Sequence, residues 1–97
     1  MLRAPLRIEP GHPALAGHFP GRPLVPAVLL LDALAALLQR EGLVLAVVES
    51  AKFLQPLPPG RDAWLELTAG QDGRWTFRIH AADAGTVACG RVRARPQ

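Results

Sequence analysis

The middle of the chain carries its strongest hydrophobic pattern. Residues 27–39, AVLLLDALAALLQ, are good helix formers, Pro26 suits the first turn of a helix, and Gly42 suits the position just after its end. Apart from Asp32, every position from 27 to 38 is Ala, Val or Leu. The pattern therefore predicts one helix that is buried nearly all round.

Alternating apolar residues and turn signals predict strands on both sides of this helix. Asp72-Gly73 is a hairpin signal, and Ala84-Gly85 marks a second turn. The apolar run LVLAVV has the length of a buried strand and continues toward Phe53. The predicted strands are 2–9, which is weak, then 43–48, 63–69, 74–81 and 86–95.

Proline dominates the segment that precedes the helix. Residues 10–26 contain five prolines and three glycines, which exclude a helix or a central strand there but leave a shaped apolar loop. The order is thus strand, loop, helix and then four antiparallel strands. This order predicts an α+β domain over residues 1–97, in which a sheet wraps around one helix.

Composition and charge exclude several classes of protein. Cys89 is the single cysteine and the three histidines lack zinc-site spacing, so neither a disulfide framework nor a metal site is predicted. The net charge is +3, but the arginines are scattered except for Arg91, Arg93 and Arg95. That series is typical of the solvated face of an edge strand, and nucleic acid is not a predicted partner.

No targeting segment is visible. The N-terminus is interrupted by Pro5 and Pro10, so it does not resemble a secretory signal. The longest apolar run, residues 24–38, is broken by Pro26 and Asp32 and is shorter than the roughly 20 residues that cross a bilayer. We expect a cytoplasmic protein without a membrane span.

Two polar residues stand in apolar surroundings. His18 lies in the proline-rich loop, and Asp32 interrupts the apolar helix. A buried carboxylate is costly unless it is paired or hydrogen-bonded. Each residue could be structural, with His18 holding the loop and Asp32 bonded to the backbone. Taken together, an imidazole and a carboxyl are also the components of an acid–base pair.

The segment GHFPGRPLVPAVLLLDALAALL resembles the active-site segment of the 3-hydroxyacyl-acyl-carrier-protein dehydratases of the FabA and FabZ type, which have the hotdog fold. In that family a His-Phe in a Gly/Pro loop is followed, after fourteen positions, by an acid on the helix, as His18 and Asp32 are here. The segment SAKFLQPLPPGRDAWLELTA resembles the family's next strand–Pro-Gly–strand unit. The resemblance covers most of the chain, which is short for the family.

This resemblance implies a lyase that dehydrates a 3-hydroxyacyl thioester on acyl carrier protein, in fatty-acid, polyene or polyketide synthesis, without metal or cofactor. It implies that His18 is the base, that Asp32 assists departure of the hydroxyl as water, and that the backbone N–H of Ala27 polarises the thioester carbonyl. Such an N–H is a suitable donor because it lies in the first turn of a helix. A homodimer with a shared site is also implied. The substrate loop would contain Gly17, Phe19 and Pro20.

Three positions depart from the family pattern. Ala27 replaces the usual Gly, Asp32 is the acid of only one branch, and Ala36 replaces a common Gln one turn after the acid. Two alternatives therefore stay open. One is an acyl thioesterase on the same fold, which would need Asp32 but not His18. The other is a catalytically silent, dehydratase-like partner subunit.

Overall fold

The sheet and helix lie in the predicted order. The computed structural model describes residues 1–15 and 25–97. In these residues the strands form one antiparallel sheet with the order β1-β3-β4-β5-β2. The elements are β1 (Leu2–Leu6), a 3-10 turn (Pro13–Leu15), α1 (Ala27–Arg40), β2 (Leu43–Phe53), β3 (Ala63–Ala69), β4 (Arg74–Ala81) and β5 (Gly85–Pro96).

The bounds of α1 follow from local chemistry. Pro26 precedes the helix in an extended conformation, with φ −63° and ψ 148°, and its carbonyl accepts a hydrogen bond from Leu29 N at 3.1 Å. Gly42 ends the helix with a positive φ of 76°, and its N–H donates to the carbonyl of Gln39. The helix therefore stops where glycine allows the chain to turn into β2.

One face of α1 packs on the inner face of the sheet. The buried helix residues recur at helical spacing and are Leu30, Leu34, Leu37 and Leu38. The prediction that the helix is buried nearly all round is wrong, because Val28 is 59% exposed and Asp32 and Ala36 are exposed too. These three residues lie one turn apart and form a second, outward ridge.

The middle of the sheet confirms the alternation seen in the sequence. Leu65 pairs with Ile79 and Leu67 pairs with Phe77, and all four side chains are buried against the helix. The β3–β4 hairpin turns at Asp72 and Gly73, with φ angles of 58° and 75°. A tight β-hairpin turn of type I′ requires a positive φ at both of its central residues.

Strand β2 is longer and more exposed than predicted. It lies at the edge of the sheet and pairs only with β5, and Val47 and Val48 are 49% and 39% exposed. The prediction of a buried strand at 43–48 is therefore wrong: residues 43–45 are half-buried, with Leu43 and Leu45 packed against the core, whereas residues 46–48 stay exposed in the described part of the chain. Apolar composition alone does not say which neighbour supplies the burial.

Two smaller expectations also need correction. The arginine series of β5 is not at an edge, because β5 lies between β4 and β2, and Arg93 contacts Glu49 at 3.4 Å. The proline-rich loop was expected to exclude any helix, yet Pro13–Leu15 forms a single 3-10 turn in which Leu15 N donates to His12 O. In the described ranges, none of the helical segments has the length and apolar character needed to cross a membrane.

Candidate functional site

A cavity of about 510 Å³ opens at the N-terminus of α1. One wall is the start of the helix with the two residues before it, and the other is the end of β2 with the segment that follows it, together with one residue of β5. Its lining residues among those described are Val25, Pro26, Ala27, Leu30, Phe53, Leu54, Gln55, Pro56, Leu57 and Val87. A largely apolar hollow of this size suits the hydrocarbon part of a small ligand.

Backbone hydrogen bonds hold the two walls in place. Val25 N donates to Leu57 O at 2.9 Å, which ties the segment before the helix to the segment after β2. Leu54 N donates to Val87 O at 2.8 Å, which ties that second segment to β5. Pro56, between these two bonds, restricts the backbone further. The cavity is therefore built into the fold rather than formed by loose side chains.

The first turn of α1 provides hydrogen-bond donors at this cavity. Ala27 is the first helical residue and is exposed, and the helix has no side-chain cap. The first N–H groups of a helix have no acceptor within it, and they carry the positive end of the helix dipole. Such a position can bind a carbonyl oxygen and stabilise negative charge that develops on it.

The carboxylate of Asp32 is not in this cavity. It is exposed on the outward ridge of α1 with Val28 and Ala36. Within residues 1–15 and 25–97, this carboxylate has neither a hydrogen bond nor an ion pair. The expectation that Asp32 is a buried acid is therefore wrong for the single chain. The structure places Ala27 in the cavity wall and Asp32 on a separate surface.

The remaining predicted site residues lie outside the described residues, and they are Gly17, His18, Phe19 and Pro20. The first described residue after them, Val25, lines the cavity. Their roles stay predictions of the sequence.

Sequence reasoning missed the wall formed by the end of β2 and the segment after it. Phe53, Leu54 and Gln55 line the cavity, although the pattern assigned no function to them. One local signal was present: Gln55 is a lone polar residue between Phe53-Leu54 and Pro56-Leu57. A polar residue inside a rigid apolar segment is often there to make a specific hydrogen bond.

The described chain has a second, smaller cavity and no arrangement of residues suited to a metal ion. A smaller cavity of about 270 Å³ lies near the other end of the helix and is lined by Ala35, Gln39, Leu43, Val44 and Leu45. In the part of the chain that is described, no three His, Cys, Asp or Glu residues are arranged to hold a metal ion.

Comparisons with known proteins agree with the resemblance found in the sequence. The sequence model of the ApeI-like family, described as ApeI dehydratase, matches residues 1–91. A 3-hydroxyacyl-[acyl-carrier-protein] dehydratase FabZ from Verminephrobacter eiseniae is 32% identical over 106 residues, covering 91% of this chain and 69% of its own length.

Solved structures show the hotdog fold. The dehydratase heterocomplex ApeI:P from Xenorhabdus doucetiae matches with a TM-score of 0.82 and 27% identity, over 95% of this chain and 84% of the other. An uncharacterized protein from Erwinia carotovora subsp. atroseptica also matches with a TM-score of 0.82 and 27% identity, over 97% and 82% of the two chains. The predicted α+β hotdog fold is thus confirmed.

Proposed function

Because this chain belongs to the ApeI-like dehydratase family, we propose that it dehydrates a 3-hydroxyacyl thioester carried on acyl carrier protein. The product is the 2-enoyl thioester, and the pathway is fatty-acid, polyene or polyketide synthesis. In this proposal residues 1–97 act as one catalytic domain. The observation that carries it is the apolar cavity at the N-terminus of α1, where the helix has no side-chain cap on its first N–H groups. A cytoplasmic location stays a prediction of the sequence.

The proposed reaction assigns one task to each candidate residue. His18 removes the proton from the carbon next to the thioester carbonyl, and the backbone N–H of Ala27 stabilises the negative charge on the carbonyl oxygen. Asp32 supplies a proton to the 3-hydroxyl, the carbon–oxygen bond breaks, and water leaves. The electron pair of the broken carbon–hydrogen bond becomes the new double bond.

The exposed position of Asp32 supports a shared site. In one chain Asp32 is exposed and lies outside the described lining of the cavity, so in this proposal another subunit brings its histidine and its substrate to this carboxylate. We propose that a second copy pairs with the free edge of β2 and covers the outward ridge of α1. Two such copies can form a continuous sheet, because an edge strand presents unpaired N–H and C=O groups.

The exposed apolar side chains support the same arrangement. Among residues 1–15 and 25–97, the large apolar side chains that stay exposed are, apart from Met1, Val28, Val47, Val48, Phe53 and Leu54. They all belong to α1, to β2 or to the segment directly after β2. A different dehydratase-like chain in place of the second copy is the alternative, by analogy with the heterocomplex from Xenorhabdus doucetiae.

An assay with matched variants tests the proposed reaction. Purified protein is given 3-hydroxyacyl and plain acyl thioesters of acyl carrier protein, and 2-enoyl product and free acid are both measured. We expect reversible formation of the 2-enoyl thioester, reduced about 100- to 10,000-fold in His18→Ala and in Asp32→Asn. The control variants His12→Ala and Asp62→Asn, which change the same residue types elsewhere, should keep the activity.

Other outcomes identify the alternatives. Release of free acid that persists in His18→Ala indicates a thioesterase and contradicts the proposal. Absence of turnover with both substrates, in a folded protein, indicates a silent partner subunit; Ala27 and Ala36 would then explain the loss. The family membership favours dehydration over thioester hydrolysis.

A further inference from the structure

The cavity at the N-terminus of α1 has one residue with a polar side chain in its described lining. That residue is Gln55, and the other described lining residues are Val, Pro, Ala, Leu and Phe. An apolar cavity removes water from any ligand that enters it. A polar group of the ligand then needs a protein partner, because an unsatisfied donor in such surroundings weakens binding.

Two hydrogen bonds fix the orientation of the Gln55 amide. Its Nε2 lies 2.6 Å from the carbonyl oxygen of Ala84 and 2.9 Å from that of Thr86. Both neighbours are acceptors, so the nitrogen and not the oxygen must face them. Both amide hydrogens are therefore used, and the amide cannot flip without losing two bonds.

The same two bonds leave Oε1 available. An amide oxygen accepts up to two hydrogen bonds, and within the described ranges no residue donates one to Oε1 of Gln55. The backbone around it is also held, since the neighbouring Leu54 N–H is bonded to Val87 O. Oε1 is thus an acceptor that is held in one orientation, on a residue that lines the apolar cavity. A ligand that binds it has to offer an N–H or O–H group.

We propose that Oε1 of Gln55 accepts a hydrogen bond from an amide N–H of the pantetheine arm that carries the thioester. This inference rests on the proposed function, which supplies a thioester at this cavity. The arm has a secondary amide two carbons from the sulfur, so its N–H reaches the cavity wall when the thioester carbonyl lies at the first turn of α1. The N–H of Ala27 then donates to the thioester carbonyl, and Oε1 of Gln55 accepts from the amide N–H of the arm.

The two polar atoms of the Gln55 amide then have different roles. The amide nitrogen of Gln55 joins the segment after β2 to the β4–β5 turn, and the amide oxygen contacts the substrate. Loss of the bonds made by the nitrogen disturbs the cavity and weakens the binding of every ligand. Loss of the bond made by the oxygen weakens the binding only of those ligands that carry the N–H. Gln55 is in this sense a binding residue, and it takes no part in proton transfer.

A pair of unreactive ligands tests the contact directly. The first is S-hexyl-N-acetylcysteamine, and the second is its ester counterpart, in which oxygen replaces the amide N–H. Dissociation constants are measured by calorimetry for wild type, for Gln55→Met and for Gln39→Met. Gln39 lines the smaller cavity and serves as the matched control.

We expect wild type and Gln39→Met to bind the amide ligand about three- to tenfold more tightly than the ester, the ratio that one neutral hydrogen bond provides. In Gln55→Met this ratio should fall to about one. Equal affinity of wild type for the two ligands, a preference retained in Gln55→Met, or no binding of either ligand to wild type would each overturn the inference.

Binding of these two ligands does not depend on catalysis. Neither ligand has a 3-hydroxyl, so a preference for the amide cannot arise from the hydroxyl group. The wild-type comparison also needs no variant, so equal affinity for the two ligands overturns the inference even if Gln55→Met unfolds. A protein that prefers the amide ligand but does not dehydrate 3-hydroxyacyl thioesters would contradict the proposed reaction alone.

Discussion

Strands β4 and β2 are both rich in apolar residues, yet their surroundings differ. Phe77 and Ile79 of β4 are 1% exposed, whereas Val47 and Val48 of β2 are 49% and 39% exposed. β4 has a hydrogen-bonded neighbour on each side, and β2 has only β5. The exposed apolar surface of β2 is therefore typical of an interaction surface, because exposed apolar patches on single chains commonly mark interaction sites.

The two edges of the sheet differ in the same way. β1 at the opposite edge has five residues, among them Arg3 and Pro5, and both features discourage pairing with another strand. β2 has eleven residues and no proline. The sheet thus has one blunted edge and one edge that remains open to pairing.

Replacing matched phenylalanines should give the largest difference. Phe77→Ala empties a site in the core and should lower the free energy of unfolding by about 3–5 kcal/mol. Phe53→Ala, at the end of β2, removes a side chain that is 48% exposed and should cost only about 1 kcal/mol. Urea unfolding of both variants measures the difference, and equal losses would contradict the assignment of the core.

Gly90→Ala should show how closely β2 packs against β5 and the core residue Phe77. An added Cβ at Gly90 would collide with the backbone oxygen of Ser50 in β2 and lie 2.8 Å from Cε1 of Phe77. We expect a loss of about 3 kcal/mol, at the upper end of overpacking effects, because a backbone atom cannot move aside. Gly11→Ala, where a new Cβ meets nothing within 4 Å, is the control and should change stability little. A harmless Gly90→Ala would mean that β2 and β5 lie farther apart.

Val47→Lys tests whether β2 pairs with a second copy. A charge on each copy at this position removes apolar contact and should weaken dimerisation about tenfold, or roughly 1.4 kcal/mol. The stability of the single chain should change by less than about 0.5 kcal/mol, because Val47 is half exposed. Sedimentation velocity over a range of concentrations measures the association. Ala82→Lys, in the β4–β5 turn, should leave it unchanged, and an unaffected dimer in Val47→Lys would exclude pairing through this strand.

Arg3→Ala at the blunted edge should have the smallest effect. The Arg3 guanidinium lies 4.3 Å from the centre of the Trp64 ring, in an exposed cation–π contact. Its removal should cost about 0.5–1 kcal/mol, and Arg3→Lys should cost less because the charge remains. Chemical unfolding of the two variants provides the measurement. A loss as large as that of Phe77→Ala would show that β1 is bound to the sheet by more than this contact.

Local sequence signals were sufficient for most of the fold. Asp72-Gly73 specified a hairpin, the alternation of Leu65 and Leu67 specified an inner face, and Pro26 and Gly42 bracketed the helix. Each of these signals depends on φ angles, on the period of two or on helix ends, which are properties of a few adjacent residues. The candidate site was predicted less completely. The resemblance pointed to Ala27, but nothing local indicated that Gln55 lies in the opposite wall, since its bonding partners Ala84 and Thr86 are about thirty positions away.

The sequence by itself determined the order of elements, the turns, the family and the residue types available for acid–base chemistry. Only the tertiary structure decided which apolar residues are covered. It placed Asp32 and Val28 on an outward ridge, left β2 at an edge, and brought Gln55 to the wall that faces Ala27. The physical reason is that burial and proximity depend on which surfaces meet, and residues far apart in the chain supply those surfaces. An apolar pattern in the sequence predicts that a surface is buried from solvent. The packing of the whole chain decides whether that burial occurs within the chain or requires a partner.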